Sequence, residues 1–590
     1  MTAQQEPSSV QGPGPGASSV SSSDATDNDN VHEKSLESPE SADSLNLAEK
    51  PTETADTSKE SSAVPIRTIT RTRSTDLARH ETATASSIHP TQSLTQSISR
   101  VPTATKPPEF SLVHEVLFVT VISAAQLLTQ AALAMSIAPL HIIGNTFHTT
   151  NPGQLSWLPA AYSLTVGTFI LPAGRWGDLY GHRKLFVFGY LWFAVWSAVA
   201  GFAAFSHSLV FFAFCRAMQG IGPALLLPNG IAVLSRTYPP GPRKNMVLSV
   251  FGATAPGGYL VGAVFSGIFA EHAWWPWTYW LLAIVSAIMG VLVILVVPRM
   301  PVAGPTESRW KELDVVGTVL GVVGLILFNF AWNQGPAAGW EKVYVYVLLI
   351  VGVLFLVVFF WYEKAKAAFP LIPMSSFSTD TRLVFGCIAA GWASFGIWVF
   401  YLWQFLELLR GQTVLLTAAQ IVPTAISGAI AAIVTGRLIA IMQPGWIMLA
   451  SMLAFLVGTI LLATMPVKQT YWAQAFVSLI VTCWGMDMSF PSGVIVLSNH
   501  MPPEHQGLAA SLINTVVNYS ISIGLGMAGT VEVHVNSGGA NELKGYRGAW
   551  YLGIGLDGLG VLLAIWLILS WRATIKAKEK AGWEDAQTQA

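Results

Sequence analysis

Arg216 and Asp487 each interrupt a stretch otherwise apolar enough to be a membrane helix, residues 209–233 and 472–497. A charged side chain at that depth costs at least about 2.5–3.5 kcal/mol even on insertion scales, so neither is expected to be idle. Spacings of three and four residues put Arg216, Gln219, Gly220 and Pro223 on one helical face, and Trp484, Asp487 and Pro491 on another. A buried carboxylate changes protonation when its surroundings change, which makes Asp487 the candidate proton-coupling group and Arg216 its candidate counter-charge. Gln126, Gln130, Gln219, Trp484, Asn514 and Asn518 are candidates to line a solute path. Gln126 and Gln130 cannot titrate, and bonding between helices is the alternative use for Ser511, Asn514 and Asn518. Glu407 and Asp557 are further acids in apolar stretches.

The elements that position these residues follow from composition. Of 590 residues 52% are hydrophobic and only 11% charged, against about 25% charged in soluble domains, so the chain cannot clothe itself in polar surface. Crossing the hydrocarbon core takes roughly 20 apolar residues. About fourteen segments qualify, at 116–137, 155–173, 185–205, 209–233, 246–269, 277–297, 315–332, 343–361, 383–406, 418–435, 447–465, 472–497, 509–528 and 550–571. The formal net charge of -1 gives no attraction to nucleic acid. Cys215, Cys387 and Cys483 lie in apolar stretches without the spacing of a zinc site or disulfide framework. No metal or cofactor is expected, and no paired catalytic carboxylates or Ser/His pair at one depth point to an enzyme.

Residues 1–110 are rich in Ser, Thr, Pro and charge and poor in large apolar side chains, and are read as a disordered cytosolic tail rather than a signal peptide. Within it Arg71-Thr72-Arg73-Ser74 suits a basophilic kinase, and a plain solvated linker is the alternative. With the N-terminus inside, the inner loops and the 573–590 tail carry Arg175, Arg183, Lys184, Arg236, Arg243, Lys244, Arg437, Arg572 and others, while the outer loops carry few basic residues. This bias predicts an even number of spans with both termini cytosolic.

The loop after the second span reads Gly174-Arg175-Trp176-Gly177-Asp178-Leu179-Tyr180-Gly181-His182-Arg183-Lys184. It resembles the cytoplasmic loop signature of the major facilitator superfamily at Gly174, Asp178, Gly181 and the basic pair Arg183 and Lys184, with Trp176 in place of the usual Leu. The glycines allow a tight turn and close helix approach, and Asp178 can meet a cation when a cytoplasmic gate is shut. Arg216, Gln219 and Gly220 resemble the fourth-helix pattern of the same superfamily. Pro256, Gly258, Gly262 and Ser266 resemble a degraded form of its antiporter signature and form a small-residue ridge for helix packing. Thr435-Gly436-Arg437-Leu438 echoes Ala173-Gly174-Arg175-Trp176, as two related halves would.

The resemblance implies an all-α membrane protein of the major facilitator fold. Two six-helix halves, 111–298 and 382–572, flank two inserted helices in 299–381. First-span acids frequent in fourteen-span drug:proton antiporters are replaced here by Gln126 and Gln130. With Ala138-Pro139-Leu140-His141-Ile142-Ile143-Gly144 following, the chain resembles the fungal aminotriazole-resistance-like subgroup, some of whose relatives move borate or ammonium. Two readings stand: proton-coupled efflux of a small organic compound by alternating access, and a facilitator or importer of a small inorganic or nitrogenous solute. The implied partners are that solute, protons and the lipid bilayer, and the implied location is the plasma membrane rather than the vacuolar one.

Overall fold

Each long apolar stretch forms one helix, and eight of these start at a side chain or proline suited to the place. The computed structural model describes residues 110–239, 241–299, 313–372, 378–499, 506–536 and 539–589; the expected tail and its kinase motif lie outside them. Ser111, Ser208, Asp314, Ser378 and Thr413 accept from backbone N–H groups of the first turn, and Pro242, Pro276 and Pro444 occupy first-turn positions where no N–H is needed.

The N-terminal half comprises α1 (Leu112–Ile137), α2 (Trp157–Tyr180), α3 (His182–Phe202), α4 (Leu209–Thr237), α5 (Pro242–His272) and α6 (Pro276–Val296). Two further helices follow, α7 (Val315–Ala338) and α8 (Val343–Ala365). The C-terminal half comprises α9 (Thr379–Gln404), α10 (Val414–Ile441), α11 (Pro444–Ala463), α12 (Gln474–Asn499), α13 (Gln506–Val535) and α14 (Glu542–Gln589). Among the described residues, 13 helices are long and apolar enough to cross a membrane. The remaining long helix is α2, which is more polar because it is enclosed: nearly all of 158–173 is buried, so it has little lipid to face.

Packing repeats between the halves. In the first, α1 packs on α5 and α6, α4 on α2 and α3, and α3 on α6; in the second, α9 packs on α13 and α14, α12 on α10 and α11, and α11 on α14. The halves meet along two matching seams, α2 with α13 and α5 with α10. The inserted α7 lies over the first seam, its Asn329 within 2.8 Å of Ser522, which also reaches the Ala160 carbonyl at 2.9 Å. A Cβ at Gly222 would press on Phe193, and one at Gly485 on Phe455, the same glycine–phenylalanine contact within each half.

Candidate functional site

At one end of the bundle, α2 and α3 join through Gly181, whose φ of 101° suits glycine and lets the chain reverse without a linker. The reversal brings His182 Nε2 to 3.2 Å from Asp178 Oδ1, and Arg236 Nη2 from the end of α4 donates to the same oxygen at 2.7 Å. Behind them His182 Nδ1 meets Asn229 Oδ1 at 2.8 Å, and Asn229 donates to the Leu225 and Ala173 carbonyls. A Cβ at Gly177 would overlap that Asn229 oxygen. Burial would raise the Asp178 pKa, but the His182 bond and the charges of His182, Arg236 and Arg175 outweigh it and hold the carboxyl below its ordinary value. Arg183 donates to the Ile294 carbonyl at 2.6 Å, fastening the loop to α6, while Lys184 is exposed. Gly174 faces Ser511 of α13 in the other half. Beside it a cavity of about 650 Å³ opens between α2, α4 and α13, with residues 368–371 along its wall.

Arg216 is fully buried inside the N-terminal half. Its guanidinium donates to the Leu158 carbonyl of α2 (3.3 Å), the Ala132 carbonyl of α1 (2.7 Å), Ser136 Oγ (3.1 Å) and Gln219 Oε1. It lies 4.6 Å from the Tyr162 ring centroid and 5.6 Å from that of Tyr279. Carbonyls and aromatic faces, not a carboxylate, solvate this cation. Two expectations are corrected here. Gln219 lines no path: it is fully buried, with its amide donating to Ser197 Oγ at 2.6 Å, so it positions Arg216. Nor does Arg216 face Asp487. Gly222 packs on Phe193 as Gly485 packs on Phe455, which sets Arg216, six residues before Gly222, level with Leu479; Asp487 lies eight residues further along α12, about 12 Å of helix rise.

Asp487 instead stands where α12, α10 and α5 meet. A Cβ at Gly428 would come 3.0 Å from its Oδ2 and 3.3 Å from Pro256. That Oδ2 atom is buried and has no hydrogen-bonding protein partner among the described residues. Trp484 is half-buried on the same helix, as are Gln126 and Gln130 on α1. Asn514 and Asn518, also half-buried, donate to the Ala510 and Asn514 carbonyls of their own α13, leaving their amide oxygens to other partners. The α5 ridge meets α1: a Cβ at Gly258 would overlap the Leu127 carbonyl and one at Gly262 the Ala131 carbonyl.

The end remote from Asp178 holds polar contacts between the halves that sequence reasoning did not assemble. His141 Nδ1 lies 2.6 Å from Glu407 Oε2, Trp403 donates to Tyr259 OH at 3.0 Å, and the Leu415 N–H donates to Glu271 Oε1 at 2.7 Å. Glu407 drew notice as an acid in an apolar stretch, but no local pattern names a partner more than 260 positions away. Asp557, fully buried, accepts from Ser394 (2.7 Å) and Thr459 (2.9 Å) inside the C-terminal half. Among the described residues no cluster of three or more His, Cys, Asp or Glu could hold a metal.

The sequence model of the Major Facilitator Superfamily matches residues 120–525. A low affinity ammonium transporter of Saccharomyces cerevisiae is 60% identical over 473 residues, covering 80% of this chain and 91% of that protein. Efflux pump terJ of Aspergillus terreus is 49% identical over 475 residues (80% and 91%), and the aminotriazole resistance protein of Saccharomyces cerevisiae 41% over 456 residues (76% and 83%). Among solved structures, a POT family transporter in complex with a thioalcohol conjugated peptide shares the fold with a TM-score of 0.56 at 13% identity, over 78% of this chain and 96% of that one.

Proposed function

We propose the following for this chain, which belongs to the major facilitator superfamily: it carries a small nitrogenous base or its cation, of the ammonium class, between the two halves, with Asp487 as the acid that meets the cation or its proton. The observation that carries this reading is the Asp487 carboxylate, whose buried Oδ2 has no protein partner at a junction of helices from both halves. An acid at that depth costs about 2.5–3.5 kcal/mol on insertion scales, and a passing cation or proton is what would offset it. The ammonium transporter at 60% identity supports the class of solute. We place the Asp178 end, with Arg175, Arg183, Arg236 and Arg243, in the cytosol on the positive-inside bias, and hence both termini; the membrane we propose is the plasma membrane.

A second reading, proton-coupled efflux of a small organic compound, is favoured by the 49% identical efflux pump, and Asp487 would then couple protons. The deciding experiment measures labelled methylammonium flux in vesicles holding the full-length protein, with and without an imposed pH gradient, for the wild type and Asp487→Asn. The first reading expects flux in the wild type and its loss in the variant. Undiminished flux in Asp487→Asn overturns the role of Asp487. No methylammonium flux, together with gradient-driven export of organic compounds, replaces the first reading with the second.

A further inference from the structure

At the end of the bundle remote from Asp178, a cavity of about 580 Å³ opens between the close of α13 and the start of α14, lined by Val531, Val535, Lys544, Arg547, Gly548 and Tyr551. A Cβ at Gly548 would press on Val531 and Val535, so glycine keeps the space between the two helices open. Asn541 accepts from the Lys544 N–H at 3.0 Å, which fixes the first turn of α14, and Arg547 Nη2 donates to the Met465 carbonyl at 3.4 Å. The Nε atom of Arg547 is buried without a hydrogen-bonding protein partner among the described residues. Tyr551 is exposed, and Leu559, Leu562, Trp566 and Leu569 continue its exposed stripe along α14. The cavity thus has a basic end and an apolar side that runs on along a surface suited to lipid chains.

The loops at this end and the helix turns beside them carry few cations: Lys342, Arg410, Lys468, Lys544 and Arg547. Four of the five gather in one place. Arg410 donates to the Pro466 carbonyl at 3.2 Å and Arg547 to the adjoining Met465 carbonyl, Lys468 follows in the same loop, and Lys544 shares the cavity with Arg547. Like charges brought together repel, and the nearby carboxylates are engaged elsewhere. Glu532 of α13 accepts from Tyr401 OH at 2.8 Å, Glu407 meets His141, and Glu271 accepts from the Leu415 N–H. Glu542, at the start of α14, is exposed, and among the described residues no ion pair joins a carboxylate to any of the four cations.

We infer that this cavity binds one glycerophospholipid of the surrounding leaflet, its phosphodiester held between Lys544 and Arg547 and its acyl chains laid along the α14 stripe that begins at Tyr551. The phosphate supplies the negative charge that the cluster of cations lacks, and it accepts charge-assisted hydrogen bonds from both side chains. The apolar wall decides between a lipid and a free anion, because an inorganic phosphate would use the basic end alone, whereas a lipid covers Val531, Val535 and the Tyr551 ring as well. The bound molecule bridges the last two helices of the C-terminal half and, through Arg547, the loop that joins α11 to α12. The inference is independent of which solute is carried.

The test titrates delipidated full-length protein in detergent with dioleoylphosphatidylcholine and counts bound lipid per chain by native mass spectrometry. Dioleoylglycerol, which has the same chains and no phosphate, is titrated in parallel. The wild type should take up one phosphatidylcholine at a lower concentration than it takes up diacylglycerol. The double variant K544Q/R547Q should raise the half-occupancy concentration of phosphatidylcholine about tenfold, as the loss of two basic contacts to a lipid headgroup implies, and leave that of diacylglycerol unchanged. Lys342→Gln, at the one cation outside the group, should match the wild type. Because Arg547 also holds the Met465 carbonyl, a double variant that is not monodisperse is replaced by Lys544→Gln, at an exposed position, for which a rise of about threefold is expected. Equal uptake of the two lipids by the wild type, or phosphatidylcholine uptake unchanged in K544Q/R547Q or Lys544→Gln, overturns the site. Displacement of the lipid by inorganic phosphate alone also overturns it, in favour of a site for a free anion.

Discussion

Replacing Gly258 by alanine puts a methyl group where the backbone of α1 already lies. The new Cβ would overlap the Leu127 carbonyl, whereas a Cβ at the adjacent Gly257 meets nothing within 4 Å. Both changes add the same intrinsic helix preference, about 0.8–1.0 kcal/mol in favour of alanine, so their difference isolates the contact. Because the obstructing atoms are backbone, no rotamer can clear them and the two helices must separate; forcing extra carbon into a close-packed site costs about 1–3 kcal/mol. Gly257→Ala should thus match or exceed the wild type in stability, and Gly258→Ala should fall below Gly257→Ala by that overpacking cost. Gly262→Ala, aimed at the Ala131 carbonyl, should behave like Gly258→Ala. Thermal midpoints of detergent-purified protein, followed by tryptophan fluorescence and size exclusion, measure the difference. If Gly258→Ala melts within about one degree of Gly257→Ala, α5 does not depend on this close approach and the packing argument is wrong.

Asp178→Asn should preserve membrane insertion but reduce transport, since Asp178 is the shared anion for Arg236 and His182; wild-type transport by correctly localised protein would contradict this. Its carboxyl is held below the ordinary value, so the folded chain binds that proton more weakly than the unfolded one. The stabilisation is therefore complete above the ordinary aspartate pKa and is lost as pH falls through the lowered one, so the gap in thermal midpoint between wild type and Asp178→Asn should hold from about pH 8 to 5 and close only in acid. A gap that closes near neutral pH would transfer the effect to His182. Arg216→Gln should lower the thermal midpoint, because the variant cannot span Leu158, Ala132 and Ser136 together, while the pH profile of transport stays put. A shifted pH optimum would show electrostatic contact with Asp487 that the structure does not contain.

The number and order of helices were legible because each span is a run of apolar residues, and the energy that selects helix in a bilayer is local: every backbone polar group must be satisfied within its own segment. Helix ends were less so. Four even-numbered helices, α2, α4, α10 and α12, run past the apolar spans at the Asp178 end, to Tyr180, Thr237, Ile441 and Asn499, since polar turns beyond the hydrocarbon leave no trace in hydropathy. The echo between residues 173–176 and 435–438 carries the true register of the halves, a displacement of 262 positions that also separates Phe193 from Phe455. On the fourth and twelfth spans the matching glycines, Gly222 and Gly485, are 263 positions apart, which aligns Arg216 with Leu479. The pairing of Arg216 with Asp487 rested on the helices being equivalent, and equivalence of helices does not give equality of depth. Gln219 was misplaced because helical spacing says which residues share a face, not whether that face meets a path or a neighbouring helix.

The separation in depth assigns the two charges different work. Arg216 lies early in α4, where α1 is ending and α2 beginning, and each of its bonds stays within the N-terminal half; it makes that half rigid at the end where His141 and Glu407 meet. Asp487 lies nearer the Asp178 end, against Gly428 of its own half and Pro256 of the other. A rocking motion of one half against the other leaves the surroundings of Arg216 intact and changes those of Asp487, because only the second set spans a seam. A titratable group can link protonation to such a motion only if its neighbours differ between the two states. Asp487, with neighbours from both halves, meets the condition that the proposed coupling requires, whereas Arg216 and Asp557 have their hydrogen-bond partners within their own halves.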